Sequence, residues 1–274
     1  MSPLWRDEVS IRLAPRRLAL VRHSRGLKPR KLAVFEVAVE PDDAVSWRAA
    51  LTALSRCLGE PPWQAANVRV VLSDLWVRYA IVPWSDELHG NAERLTHARY
   101  ALADIYGDLV ADWTVRLSDP VPGKAQVACA MPTTLFTELS DLIEQRGLHL
   151  LSLQPQLIAA FNRWRERLPE SGAWFVSIEE GALAAARLAP GGWDRVHVVR
   201  IGRDWAVELK RLNTFARLAG TRPEEGRVFV DAPESLRSGN GDEPGLEWLD
   251  AAIEETTPGV VQAAGDSAAR GSSA

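Results

Sequence analysis

The feature that most constrains this chain is a pattern that occurs twice. Residues 9–39 and 174–199 each read as three consecutive short strands joined by tight turns, and a helical stretch follows each set. In the first set Val9, Ile11 and Leu13 alternate with Ser10 and Arg12, the period of a strand with one buried face. Pro15 marks a turn, and Leu18, Leu20 and residues 31–39 supply two more strands. The second set runs through 174–178, 182–188 and 195–199, with Pro190-Gly191-Gly192 as its last hairpin turn. A meander of this kind has an apolar face that helices must cover. Two such starts therefore predict an α/β chain of two lobes, each a mixed sheet flanked by helices.

The segments between them fill in the plan. Pro41-Asp42-Asp43 offers a helix start, Trp47, Leu51, Leu54 and Leu58 recur at helical spacing, and Gly59 ends the run. Strands are expected at 68–72 and 75–82, with Ser73-Asp74 as the turn between them, then a long helix over 86–106. Residues 113–117 and 125–131 read as a hairpin. Thr133 stands where a helix cap belongs, ahead of Leu135, Leu139, Leu142 and Ile143, and Gly147 sits at the left-handed exit. A short strand at 148–153 leads to Pro155, which opens a helix with Leu157, Phe161, Trp164 and Leu168 on one stripe. After the second strand set, a helix over 205–218 and a strand at 228–230 are expected. The division is then 1–154 for a first lobe with an inserted subdomain around 84–131, 155–231 for a second, reduced lobe, and 232–274 for an acidic linker and disordered tail containing a short helix at 246–253.

Composition sets the class. With 46% hydrophobic and 25% charged residues in 274, the chain reads as a soluble globular protein. No run approaches the roughly 20 apolar residues of a membrane span, and the first twenty residues lack a signal-peptide apolar region, so a cytoplasmic location is expected. Cys57 and Cys129 read as small apolar residues on an amphipathic helix and a strand. A net charge of -4 argues against a general nucleic-acid binder. Charge is uneven: residues 1–31 hold nine basic and two acidic residues, whereas 221–274 hold four basic and eleven acidic. The basic end suits a solvated strand edge that repels pairing, and its alternative is a face for anionic headgroups or an acidic partner.

Catalytic signatures are missing. The sequence contains no GxSxG, GxxxxGK[ST] or GxGxxG, and its five histidines show no metal-ligand spacing. Glu179 and Glu180 are neighbours, so their side chains diverge and make a poor acid/base pair; both read as solvated turn residues. The 11 tryptophans are expected mainly as core anchors, with Trp63 and Trp84, which follow prolines, partly exposed.

The order of elements over about 9–212 resembles the actin-like assembly proteins of type IV pili and the cytoplasmic domain of the type II secretion platform protein. The resemblance is carried by QVACAMPTTLFTELSDLIEQRGL at 126–148, LQPQLIAAFNRW at 153–164 and VVLSDLWVRYAIVPW at 70–84. It implies a two-lobed actin-like (ribonuclease H-like) ATPase fold with mixed β-sheets and flanking helices. Active members place Asp and Gly in the first hairpin turn, so that backbone N–H groups approach phosphate and a carboxylate reaches the metal shell. Here that turn reads Leu13-Ala14-Pro15-Arg16-Arg17, in which Pro15 removes a donor and no carboxylate is present. In the second hairpin, Ser177-Ile178-Glu179 stands where the family has Asp-Ile-Gly, and Glu179 and Glu180 would repel a triphosphate.

Both phosphate turns therefore look degenerate, at Pro15, Arg16, Glu179 and Glu180, and no catalytic residue, cofactor or metal is expected. The resemblance implies a cytoplasmic scaffold at the inner membrane that binds the cytoplasmic N-terminal segment of a bitopic assembly protein. Trp84, Leu95 and Trp113 in the inserted region are candidate partner contacts, and Arg16 and Arg17 are candidates for an anionic membrane surface. The alternative is a divergent ATPase or kinase-like enzyme that binds Mg-ATP. A homo-oligomer stays open.

Overall fold

The computed structural model describes residues 6–26, 29–40, 43, 46–202, 205–219, 226–237 and 245–249. In chain order the elements are β1 (Glu8–Ala14), β2 (Arg17–His23), β3 (Lys31–Ala38), α1 (Arg48–Leu58) and β4 (Asn67–Leu72). A 3-10 turn (Asp74–Trp76) leads to β5 (Arg78–Val82), α2 (Asn91–Tyr106), β6 (Trp113–Leu117), β7 (Gln126–Pro132), α3 (Thr133–Gln145), β8 (His149–Pro155) and α4 (Gln156–Trp164). The remainder is β9 (Ala173–Glu179), β10 (Ala182–Ala189), β11 (Gly192–Arg200), α5 (Trp205–Ala219), β12 (Arg227–Asp231), α6 (Glu234–Arg237) and β13 (Leu246–Trp248).

Two of the sheets share one plan. The first has the order β3-β2-β1-β4-β8 and the second β11-β10-β9-β12-β13. In each, three antiparallel strands lie beside parallel ones: β1 pairs parallel with β4 and β4 with β8, as β9 does with β12 and β12 with β13. A third, antiparallel sheet has the order β5-β7-β6.

Packing follows from which faces are apolar. One face of the first sheet, with Ile11, Leu13, Leu18, Leu20, Val68 and Val70, buries against Leu51, Leu54 and Leu58 of α1 and Leu135, Leu139 and Ile143 of α3. The second sheet is covered on both faces, so Ala173 to Ile178 is a continuous buried run without alternation. On one side Trp174, Val176 and Ile178 meet Trp205, Leu209 and Ala216 of α5. On the other, Phe175, Ala184, Trp193 and Phe229 meet Leu157, Ala160 and Trp164 of α4 together with Val77 and Tyr79, and Ile81, Val127 and Cys129 of the third sheet pack on the same core. The far face of the third sheet is closed by Ala98 and Leu102 of α2.

Several elements differ from the sequence reading. The strand expected from residue 75 begins only at Arg78, because Ser73 caps a 3-10 turn by accepting the Leu75 amide at 3.2 Å. Helix α2 starts at Asn91 rather than 86. Thr133 is the first residue of α3 and makes no capping bond, with Pro132 in the cap position. Helix α4 ends at Trp164, short of Leu168. Gly147 does adopt φ 67, a conformation that favours glycine. Residues 246–248 form strand β13 instead of a helix, so the second sheet continues past the linker expected from 232; the parallel partner β12 supplies the hydrogen bonds that local sequence could not announce. Residues 250–274 lie outside the described residues. Trp63 is buried, at 5% exposure, not partly exposed.

Truncating Phe175→Ala, fully buried between the second sheet and α4, is expected to cost about 3–5 kcal/mol in denaturant unfolding. Leu32→Ala, at a site 53% exposed on β3, should stay within about 0.5 kcal/mol.

Candidate functional site at the junction of the two sheets

In open α/β sheets, ligands collect outside the carboxyl ends of the parallel strands. Here those ends meet. In the first sheet Leu13, Leu72 and Pro155 lie in register at the ends of β1, β4 and β8; in the second, Ser177 of β9 lies beside Asp231 of β12.

The contact between them is built on the turn after β4. The Ser73 amide donates to the Leu13 carbonyl at 2.9 Å, which holds the turn to the sheet. The Ser73 hydroxyl then donates to Glu179 Oε1 at 2.7 Å, and the Asp74 amide donates to the same oxygen at 2.7 Å. Glu179 ends β9, in a hairpin that turns through Gly181 at φ 92; a Cβ there would meet Leu75 Cδ1 at 3.4 Å, so the turn lies close against the first sheet's own turn.

Behind this contact lies Asp74, 1% exposed. Its carboxyl accepts the Tyr79 hydroxyl on one oxygen and the Leu157 amide, at 2.9 Å, on the other. Leu157 sits in the first turn of α4, whose cap position is Pro155 with no capping side chain. Asp74 thus supplies from a distant loop the acceptor that a helix N-terminus needs. The last turn of α4 is held as well, since Trp164 Nε1 donates to Asp231 Oδ1 at 2.9 Å and Arg163 lies 3.8 Å from the same oxygen. Gln156 Nε2 donates to Ser177 Oγ at 3.4 Å.

Electrostatics follow the burial. Burial raises the Asp74 carboxyl well above the usual carboxylate range, and the Glu179 charge pushes the same way against the Tyr79 and Leu157 hydrogen bonds. Burial raises Glu179 from 4.5 to about 7, opposed by its bonds to Ser73 and Asp74 and by the charge of Arg12. Cys129 is pushed up to about 12 by burial and by Asp74, which leaves its thiol protonated and unreactive at neutral pH. Among the described residues no group of three or more His, Cys, Asp and Glu converges to hold a metal ion.

The residues singled out by sequence are dispersed. Pro15 is buried in the turn between β1 and β2, while Arg16 beside it is exposed and Arg17 forms an ion pair with Glu36. Glu180 is exposed, as expected of a turn. Glu179 is not solvated: it is partly buried, because two donors from the other sheet lie within reach. Leu95 and Trp113 are both partly buried against the core between the third sheet and α2, where Trp113 meets Tyr106 edge-on at 5.4 Å. Trp84 stands at the end of β5, half-buried, with Arg94 4.1 Å above its ring and its Nε1 donating to Asp86 at 2.7 Å. Sequence reasoning missed Asp74, Tyr79, Trp164 and Asp231. One signal was present, a carboxylate set between apolar stretches in VVLSDLWV, which marks a burial that needs partners.

No family model matches the sequence, and no curated protein matches it. Solved structures do. The complex of type IV pilus biogenesis proteins PilM and PilN matches with a TM-score of 0.60 and 16% identity over 85% of this chain and 83% of that one. A protein from Bacteroides thetaiotaomicron, of unknown function and with an actin-like ATPase fold, matches with 0.58 and 12% over 85% of both chains. The fold is actin-like. The cytoplasmic domain of EpsL, an inner membrane component of the type II secretion system of Vibrio cholerae, matches with 0.55 and 14% over 93% of this chain and 90% of that one.

A carboxyl raised on folding binds its proton more tightly in the native state, so stability falls as pH rises between its unfolded and folded values. Because Glu179 stands at about 7 in the folded protein, the melting temperature is expected to fall as pH rises from 5 to 7. Glu179→Gln should flatten that slope, as followed by thermal denaturation in matched buffers.

Proposed function

We propose that this chain is a cytoplasmic scaffold of a bacterial inner-membrane pilus or type II secretion assembly platform, with the contact between Glu179 and the Ser73-Asp74 turn in place of a nucleotide. The single observation that carries the reading is that this one carboxylate takes both the Asp74 amide and the Ser73 hydroxyl. A triphosphate at the strand ends needs such donors free, because its oxygens are bound by backbone N–H and hydroxyl groups. Pro15 offers no N–H in the first hairpin, and Glu179 in the second brings negative charge where phosphate would lie. The residues present therefore do not fit the nucleotide that the fold implies, and a pseudo-ATPase is the consistent reading.

The partner we propose is the cytoplasmic N-terminal segment of a bitopic inner-membrane assembly protein, which would leave this chain peripheral to that membrane. Support comes from the likeness in fold to PilM in its complex with PilN and to EpsL. No helix among the described residues is long and apolar enough to cross a membrane. Docking is placed on the inserted region around 84–131, where Trp84 presents part of its ring and keeps its N–H on Asp86. Such an amphipathic ring suits an interface anchor.

Titration with Mg-ATP in a calorimeter should give no heat at concentrations that detect a Kd of about 100 μM, near −5.5 kcal/mol. Clear binding would overturn the scaffold reading and favour a divergent ATPase or kinase-like enzyme. In the complementary experiment the immobilised protein should retain a bitopic inner-membrane assembly component from its own lysate, and Trp84→Ala should weaken that capture roughly tenfold.

A further inference from the structure

The two like sheets are not covered alike. In the first, α1 lies over β2, and α3 completes the layer. In the second, α5 lies against β12, and the described helix after β12 is the four residues of α6. Among the described residues, α5 shares a core with Leu183 and Ala185 of β10, and no helix closes the strip between it and β11.

That strip is a groove of about 340 Å³. Its floor is Trp174, Leu183 and Val199, and its wall on the α5 side is Leu212 and Phe215. Trp174 and Leu183 are 3% and 2% exposed, so the apolar floor lies deep, while Phe215 stands 47% exposed on the wall. The rim is basic, with Arg195 and His197 from β11 and Arg211 from α5. Its one carboxylate, Glu208, accepts from Arg211 at 2.7 Å and leaves Arg195 to set the sign of the rim.

We propose that this groove docks an amphipathic helix of a partner protein, with acidic residues flanking its apolar stripe. Two strands at about 4.8 Å spacing make a strip about as wide as a helix. Apolar anchors of the helix enter beside Phe215 and reach Trp174 and Leu183, and its carboxylates meet Arg195 and His197. A flat lipid surface touches the rim but not the recessed floor, which favours a helix over a membrane. The site is on the second sheet, apart from the third-sheet region proposed above, and does not rest on that reading.

The probe is a fluorescently labelled synthetic helix with a leucine stripe flanked by glutamates, and its twin with lysines in place of the glutamates, each titrated into the full chain by anisotropy. The glutamate peptide is expected to bind at least about tenfold more tightly than its twin, and Arg195→Glu and Phe215→Ser should each weaken it about tenfold. Both positions are exposed, so the variants should retain the wild-type circular dichroism spectrum. Failure of the glutamate peptide to bind, equal binding of the two peptides, or binding indifferent to Phe215→Ser would overturn the proposal. Capture of phosphatidylglycerol vesicles in the absence of peptide binding would also overturn it, in favour of a membrane face.

Discussion

One carboxylate oxygen, shared by two donors that belong to a different sheet, joins the halves of this molecule. Glu179 at the end of β9 accepts both the Ser73 hydroxyl and the Asp74 amide, and the turn it grips is itself tied to Leu13 of β1. The same turn carries Asp74, whose buried carboxyl caps α4 through the Leu157 amide. Helix α4 is the element that passes from the first sheet to the second, and Asp231 holds its other end through Trp164. Loss of the first contact would therefore loosen the helix that connects the sheets as well as the hairpin that touches them. In a low-dielectric junction such bonds are strong when complete and costly when one partner is removed.

The apolar architecture reinforces this polar contact. Because α4 and the third sheet both pack on one face of the second sheet, the junction is backed by a core around Phe175, Trp193 and Phe229. Phe161 bridges it, edge-on to Phe175 at 5.8 Å and to Trp193 at 4.9 Å.

Much of the fold was legible from spacing. Strands β1 to β3 and β9 to β11 lie where Val9, Ile11 and Leu13 or the run from Trp174 place them, and α1 buries Leu51, Leu54 and Leu58 as their period requires. The resemblance carried by three architectural segments pointed to the actin-like plan that the strand order displays. The site was less legible. Glu179 was visible as a departure from a phosphate turn, but its neighbour Glu180, of the same type, is exposed while Glu179 is bonded. Nothing local separates the two. What separates them is the turn at Ser73, more than a hundred residues earlier in the chain.

By itself the sequence determined most of the elements, because helix and strand periods are properties of neighbouring residues, and it determined that the first hairpin turn carries no carboxylate while the second carries Glu179 and Glu180. Pro15 has no N–H in any conformation. Only the tertiary structure decided what those turns do instead. Pairing of Ser73 with Glu179, capping of α4 by Asp74 and addition of β13 to β12 all join residues far apart in the chain. Their partners are fixed by how the sheets come together, and a buried polar group that finds such a partner gives no local sign of which one it will be.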